Sequence, residues 1–174
     1  MKDSASFIME LKDIRLNPKD ILVSFDVVSL YTCIPIKEAL EVIYRLTYPD
    51  TAHLVEICLT STFFCFEGEF FEQTCGVAMG FPFCPIVANL FMEDFDAKSL
   101  ASARLLPKLW KRYVDDTNVI WSHGLEELDR FFNHLNGQSS AIKFTMEKEV
   151  NGCLPFLDII ISRNNDGYLS HSVF

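Results

Sequence analysis

The chain has 174 residues, 49% of them hydrophobic and 22% charged, with a net charge of −9. That length suits one domain with a real core, and the absence of any run of about 18 apolar residues excludes a helical membrane span. The acidic balance also excludes a chain that grips nucleic acid through its own overall charge, since a phosphate backbone asks for Lys and Arg. The first six residues, MKDSAS, carry no apolar signal core, so the expected compartment is intracellular, cytoplasm or nucleus, without secretion. Six cysteines (Cys33, Cys58, Cys65, Cys75, Cys84, Cys153) form no C-x-x-C pair and read as buried reduced thiols. The 16 Phe imply a core or groove rich in rings.

In chain order, residues 6–16 place Phe7, Ile8, Leu11 and Ile14 at roughly helical spacing, with a stop before Asn17-Pro18. Residues 21–25 form a short apolar run suited to a buried strand that ends in Asp26. Pro35 opens a helix over residues 36–46, with Ile36, Ala39, Leu40 and Ile43 on one face. A break at Pro49-Asp50 precedes a second helix over about 51–60 that turns Leu54, Ile57 and Cys58 inward. Residues 62–66 and 70–74 flank Glu67-Gly68-Glu69 as a hairpin, with Glu67, Glu69 and Glu72 as a solvated edge. Residues 76–85 hold two Gly and two Pro, an irregular loop whose backbone can approach another molecule closely.

Helix follows over about 86–101, with Ile86, Val87, Leu90, Phe91 and Phe95 as its apolar stripe. Its acids Glu93, Asp94 and Asp96 fall on the solvent side. Residues 110–121 read as two strands around Asp115-Asp116. Residues 125–135 form a helix, with Leu125, Leu128, Phe131, Phe132 and Leu135 facing the core, and Asn136-Gly137 ends it. Residues 142–147 alternate as a strand, Asn151-Gly152 turns, residues 154–161 form one further strand, and Asn165-Asp166-Gly167 turns into a last one. The four histidines are scattered and carry no partner pattern. The sum is an α+β chain, an antiparallel sheet with helices packed on one face.

The adjacent acids of the hairpin at 115–116 are costly to hold together: unit charges about 4 Å apart repel by roughly 4 kcal/mol at an effective dielectric near 20. By itself the pair also fits a solvated Asp-Asp turn. If the Asp26 strand lies beside it, three carboxylates converge at one sheet edge. An oxygen-only donor set without His or Cys suits Mg²⁺ or Mn²⁺, not Zn²⁺, and two such ions make the clamp used in phosphoryl transfer.

Five segments then resemble the reverse transcriptases of Penelope-like retroelements, in order and in spacing, from about Ile21 to the C-terminus. They are SFDVVSLYT at 24–32, QTCGVAMGFP at 73–82 continued by NLFM at 89–92, YVDDT at 113–117, FTMEKE at 144–149 and LPFLD at 154–158. The resemblance implies a polymerase-type palm over residues 1–174, as a partial domain whose basic fingers lie upstream and whose thumb lies downstream. It implies that Asp26, Asp115 and Asp116 are catalytic and hold two Mg²⁺ or Mn²⁺ ions, with the Val27 carbonyl as an added ligand. It places Tyr31 under the incoming sugar, and Met79, Gly80, Phe81 and Pro82 against template and nucleotide. Phe156 and Leu157 fall near the primer grip. The implied partners are an RNA template, a DNA primer and deoxynucleoside triphosphates, and the implied reaction is nucleotidyl transfer to a primer 3′-hydroxyl. Where the family has Ser-Pro-Leu-Ser-Pro after Met-Gly, this chain has Phe81-Pro82-Phe83-Cys84-Pro85, bulkier rings in a tight loop. The rival readings are an inactive, decayed or host-retained palm that serves as a fold or interaction module, and a metal-dependent nuclease.

Overall fold

The computed structural model describes residues 4–78, 80 and 82–173. The chain divides into two compact units. The first joins residues 1–28, 102–139 and 143–174; the second holds 29–101 and 140–142. Among the described residues no helix is long and apolar enough to cross a membrane.

The first unit is built on a four-stranded antiparallel sheet, in the order β4-β5-β1-β6. Its strands are β1 (Ile21–Val27), β4 (Leu109–Tyr113), β5 (Asp116–Trp121) and β6 (Phe144–Lys148). Side chains alternate between faces along each strand, so the register defines two surfaces. One carries Val23, Phe25 and Val27 from β1 and Val119 and Trp121 from β5, all buried. Helix α6 (Leu125–Gly137) covers it: Phe25 stacks on Phe132 and touches Phe131 and Trp110, and Trp121 lies 4.9 Å from the Phe131 ring. The opposite surface is graded. At its base Leu22 and Ile120 pack with Phe7 and Leu11 of α1 (Ser4–Leu11). They also meet Leu154, Phe156, Ile159 and Ile161 of a three-stranded sheet, β7 (Cys153–Phe156), β8 (Ile159–Arg163) and β9 (Leu169–Val173). Beyond this apolar row come Lys111, Asn118, Ser24 and Glu147, and outermost Tyr113, Asp116, Asp26 and Thr145.

Polar pins hold the base. Asp20, 3% exposed, accepts from Lys108 Nζ at 2.8 Å, Ser122 Oγ at 2.8 Å and the Asn17 N–H at 2.9 Å. Those donors outweigh the cost of burying the charge and keep its carboxyl below the usual range. Arg163 donates to Glu149 Oε1 and to the Asp20 carbonyl, while Glu149 Oε1 accepts from the Leu22 N–H at 2.9 Å. One ion pair thus ties β8 to the start of β1.

The second unit holds α2 (Leu30–Cys33), α3 (Ile36–Leu46), α4 (Pro49–Thr60), α5 (Cys84–Ser102, its last residue in the first unit) and the hairpin β2 (Phe63–Phe66)–β3 (Glu69–Glu72). Helix α3 follows its periodicity, burying Ala39, Leu40, Val42 and Ile43. Several sequence expectations are corrected. Pro49 is the first residue of α4, where its missing N–H costs nothing, so the pair at 49–50 starts a helix instead of breaking one. That helix buries Ala52 and Leu59 and leaves Leu54 and Ile57 exposed. Likewise α5 begins at Cys84 and turns Ile86 outward, burying Ala88 and Met92 beside Val87, Phe91 and Phe95. Leu125 is exposed at the start of α6. Helix α1 stops at Leu11, short of the predicted 16. The expected single strand over 154–161 is two strands, broken at Leu157, whose φ of 55° turns the chain. All six cysteines are free, but Cys65 and Cys75 are exposed and only Cys84 is fully buried.

Candidate functional site

Strand β1 carries Asp26 one residue before its end, with the open end of the polar surface beside it. Its cross-strand partner on β5 is Asp116, and on β6 Thr145. Residues directly opposite in an antiparallel pair have Cβ atoms about 4.5–5.5 Å apart, so the register alone brings these carboxylates to one spot. Asp115 sits in the two-residue turn between β4 and β5. Its partner in that turn, Val114, has a φ of 54°, a left-handed conformation that a β-branched residue adopts only under constraint. The constraint is visible on the far side: the Val27 N–H donates to the Asp115 carbonyl at 3.2 Å, locking the turn to β1.

The charges feel one another. Burial pushes the Asp116 carboxyl up to about 6, helped by the negative charges of Asp115 and Asp26. Burial and Asp115 also raise Asp26. Both shifts mark negative charge held without enough positive compensation, and both groups would bind a cation with relief of that repulsion. The donor set is oxygen only and suits a hard divalent ion. Among the described residues no three Asp, Glu, His or Cys side chains are gathered into a finished metal cage; the match lies in backbone register, charge and donor chemistry.

Asp26 and Asp116 line an open cavity of about 320 Å³ with Ser24, Thr145, Glu147, Pro155, Phe156 and Leu157. Phe156 is a core residue first, its ring 5.1 Å from Phe7, and Leu157 forms the cavity's wall from a strained turn. Ser24, Thr145 and Glu147 were not singled out from the sequence. The signal was present: each lies two residues along a strand from another cavity residue, or opposite one, and so shares its face. A further finding is Asn118, fully buried between Lys111 and Ser24 in register, with neither amide atom hydrogen-bonded among the described residues.

The other expected site residues belong to the second unit. Tyr31 lies in the turn of α2, half-buried, and its carbonyl accepts from the Val77 N–H at 2.7 Å. Gly76 makes that approach possible, because a Cβ there would lie 2.6 Å from the Thr32 backbone. The loop is therefore seated on the Tyr31 turn. Gly80 is exposed with a φ of 99°, and Pro82 is exposed beyond it; Met79 and Phe81 lie outside the described residues.

Solved telomerase structures share this fold. That of apo telomerase from Candida tropicalis truncated from the C-terminal domain superposes with a TM-score of 0.77 at 14% identity, over 100% of this chain and 40% of that one. Telomerase from Candida albicans, in complex with a TWJ fragment of telomeric RNA, gives 0.75 at 11% identity, over 99% of this chain and 34% of that one. The chain thus spans well under half the length of these proteins, and at such identities the likeness is one of fold. No curated relative matches the sequence. Residues 2–149 match the family described as reverse transcriptase (RNA-dependent DNA polymerase), and with most of its length inside that match the chain belongs to this family.

Proposed function

We propose that the chain is the palm of a Penelope-like retroelement reverse transcriptase, part of a longer polymerase. Its chemistry is template-directed nucleotidyl transfer: the primer 3′-hydroxyl oxygen attacks the α-phosphorus of a deoxynucleoside triphosphate, and the bond to the pyrophosphate leaving group breaks. The observation that carries this reading is the pairing of Asp26 with Asp116 across β1 and β5, with Asp115 locked in the adjoining turn.

In this reading Asp26, Asp115 and Asp116 would hold two Mg²⁺ or Mn²⁺ ions, with the Val27 carbonyl as a further oxygen donor. Bound divalent cations supply charge neutralisation at the attacking and leaving oxygens. The protein's own part is orientation. Leu157 and Phe156 offer an apolar wall to the primer end, and Thr145 and Ser24 offer hydroxyls; Tyr31, Gly80 and Pro82 are the nucleotide-binding candidates of the second unit.

The test is thermal unfolding of the chain with increasing Mn²⁺, for wild type and for Asp26→Asn and Asp116→Asn. A ligand that binds only the folded state raises stability by about 2.7 kcal/mol at a hundredfold excess over its Kd. Wild type should rise with Mn²⁺ and both variants should lose most of the response. An unchanged wild-type melting curve would remove the metal site from this chain and return it to the rival reading, a palm kept as a fold or interaction module.

A further inference from the structure

The hairpin of β2 and β3 is exposed on both of its faces. Its two-residue turn carries Glu67 at φ 52° and Gly68 at 84°, the left-handed pair that matches the twist of a hairpin. The register puts Phe63, Cys65, Phe70 and Glu72 on one face and Phe64, Phe66, Glu69 and Phe71 on the other. Phe70 is 80% exposed, Phe63 and Phe66 are 61% exposed, and the Phe64–Phe71 pair stacks in the open at 5.6 Å. Among the described residues the two-stranded ribbon also leaves the outer edge of each strand without a further strand, and such isolated hairpins are marginal in water.

Charge states what can cover it. Between Arg45 and Lys98 the sequence holds eight carboxylates (Asp50, Glu56, Glu67, Glu69, Glu72, Glu93, Asp94, Asp96) and no Lys or Arg. Exposed rings alone would suit stacked bases. A phosphate backbone, however, would meet three hairpin glutamates with no cation of the segment to offset them. A second copy of the hairpin would bring the same glutamates against one another.

We propose that this hairpin is a docking edge for a basic polypeptide strand, one that alternates Lys or Arg with apolar residues. The strand adds to an open edge through main-chain hydrogen bonds. Its apolar side chains cover the phenylalanines and its cations meet Glu67, Glu69 and Glu72. This surface is independent of the acidic cavity and stands whether or not the chain is catalytic.

The experiment is hydrogen–deuterium exchange on the 174-residue chain with three probes: a short synthetic peptide alternating Lys and Val, its Glu–Val counterpart, and a single-stranded RNA. The Lys–Val peptide alone should slow exchange, and the protection should concentrate in residues 63–72. The Glu67→Lys/Glu69→Lys/Glu72→Lys variant should exchange its preference for the Glu–Val peptide. A Phe64→Ser/Phe71→Ser variant, which keeps every charge, should weaken Lys–Val binding at least about tenfold. All five positions are exposed, so circular dichroism of both variants should match wild type. The idea is overturned by protection spread evenly over the acidic surface, by equal binding of the two peptides, by RNA protecting the hairpin, or by concentration-dependent protection of the hairpin without peptide.

Discussion

Strand β1 and the hairpin β2–β3 both set phenylalanine close to an acid, yet they end in opposite environments. In β1, Phe25 is fully buried against α6 while Asp26 one residue later stands at the open end. In the hairpin, five phenylalanines and three glutamates share the solvent. The difference is the number of layers. The four-stranded sheet has a helix on one surface and an apolar base on the other, so alternation has a core to point into. The two-stranded ribbon has no layer of its own, and alternation only distributes rings over two wet faces. Acids take different meanings for the same reason. Glu67, Glu69 and Glu72 stay screened by water, whereas Asp116 is driven up to about 6 by burial beside like charges.

Substitutions at matched positions measure this contrast. Phe25→Ala should cost about 3–5 kcal/mol in chemical denaturation, as large-to-small changes in a packed core do; a loss below about 1 kcal/mol would mean that α6 does not seal the sheet. Gly76→Ala should follow at about 1–3 kcal/mol, since its φ of 73° and the Thr32 backbone both exclude a side chain. The same change should release the loop seated on Tyr31, read as faster amide exchange at Val77. Asp116→Asn should act in the other direction, stabilising the metal-free chain at pH 7 by on the order of 1 kcal/mol after solvent screening.

The pH sign of that last effect is fixed by linkage. The raised proton affinity of Asp116 means that the unfolded chain ionises first as pH climbs, so folded-state stability falls between about pH 4 and 6 and levels off above. Asp26 is raised too and adds to the same slope. Asp116→Asn should flatten it; a wild-type melting temperature that rises over this window would contradict the raised proton affinity of half-buried Asp116. The smallest effect belongs to the hairpin. Phe70→Ala should change stability by less than about 0.5 kcal/mol, and a larger loss would show that the ribbon is already covered in the free chain.

Much of this was readable in advance where a local rule and the tertiary outcome coincide. The helix at 36–46 has one continuous stripe, and the turn at Glu67-Gly68 has the glycine its conformation favours. Reading failed where partners decide. Apolar character points Leu54 and Ile57 inward, but α4 buries its other side through Ala52 and Leu59. The break at Leu157 has no local signal, because nothing asks a leucine to take a positive φ; the two-residue turn that pairs Phe156 with Ile159 imposes it.

For the candidate site, the sequence by itself named the candidates: Asp26 at the end of an apolar strand, Asp115 and Asp116 at the join of two strands, and Gly80 in the loop. Those identities follow from residue chemistry and spacing along the chain. Only the tertiary structure decided that Asp116 rather than Asp115 stands opposite Asp26, because register is set by which side chains a sheet must bury and a shift of one residue in β5 would have turned Asp116 to the α6 face. It also enlisted Ser24, Thr145, Glu147 and Leu157 around the same cavity. Their nearness crosses more than a hundred residues of chain in part, and no local physics can express it.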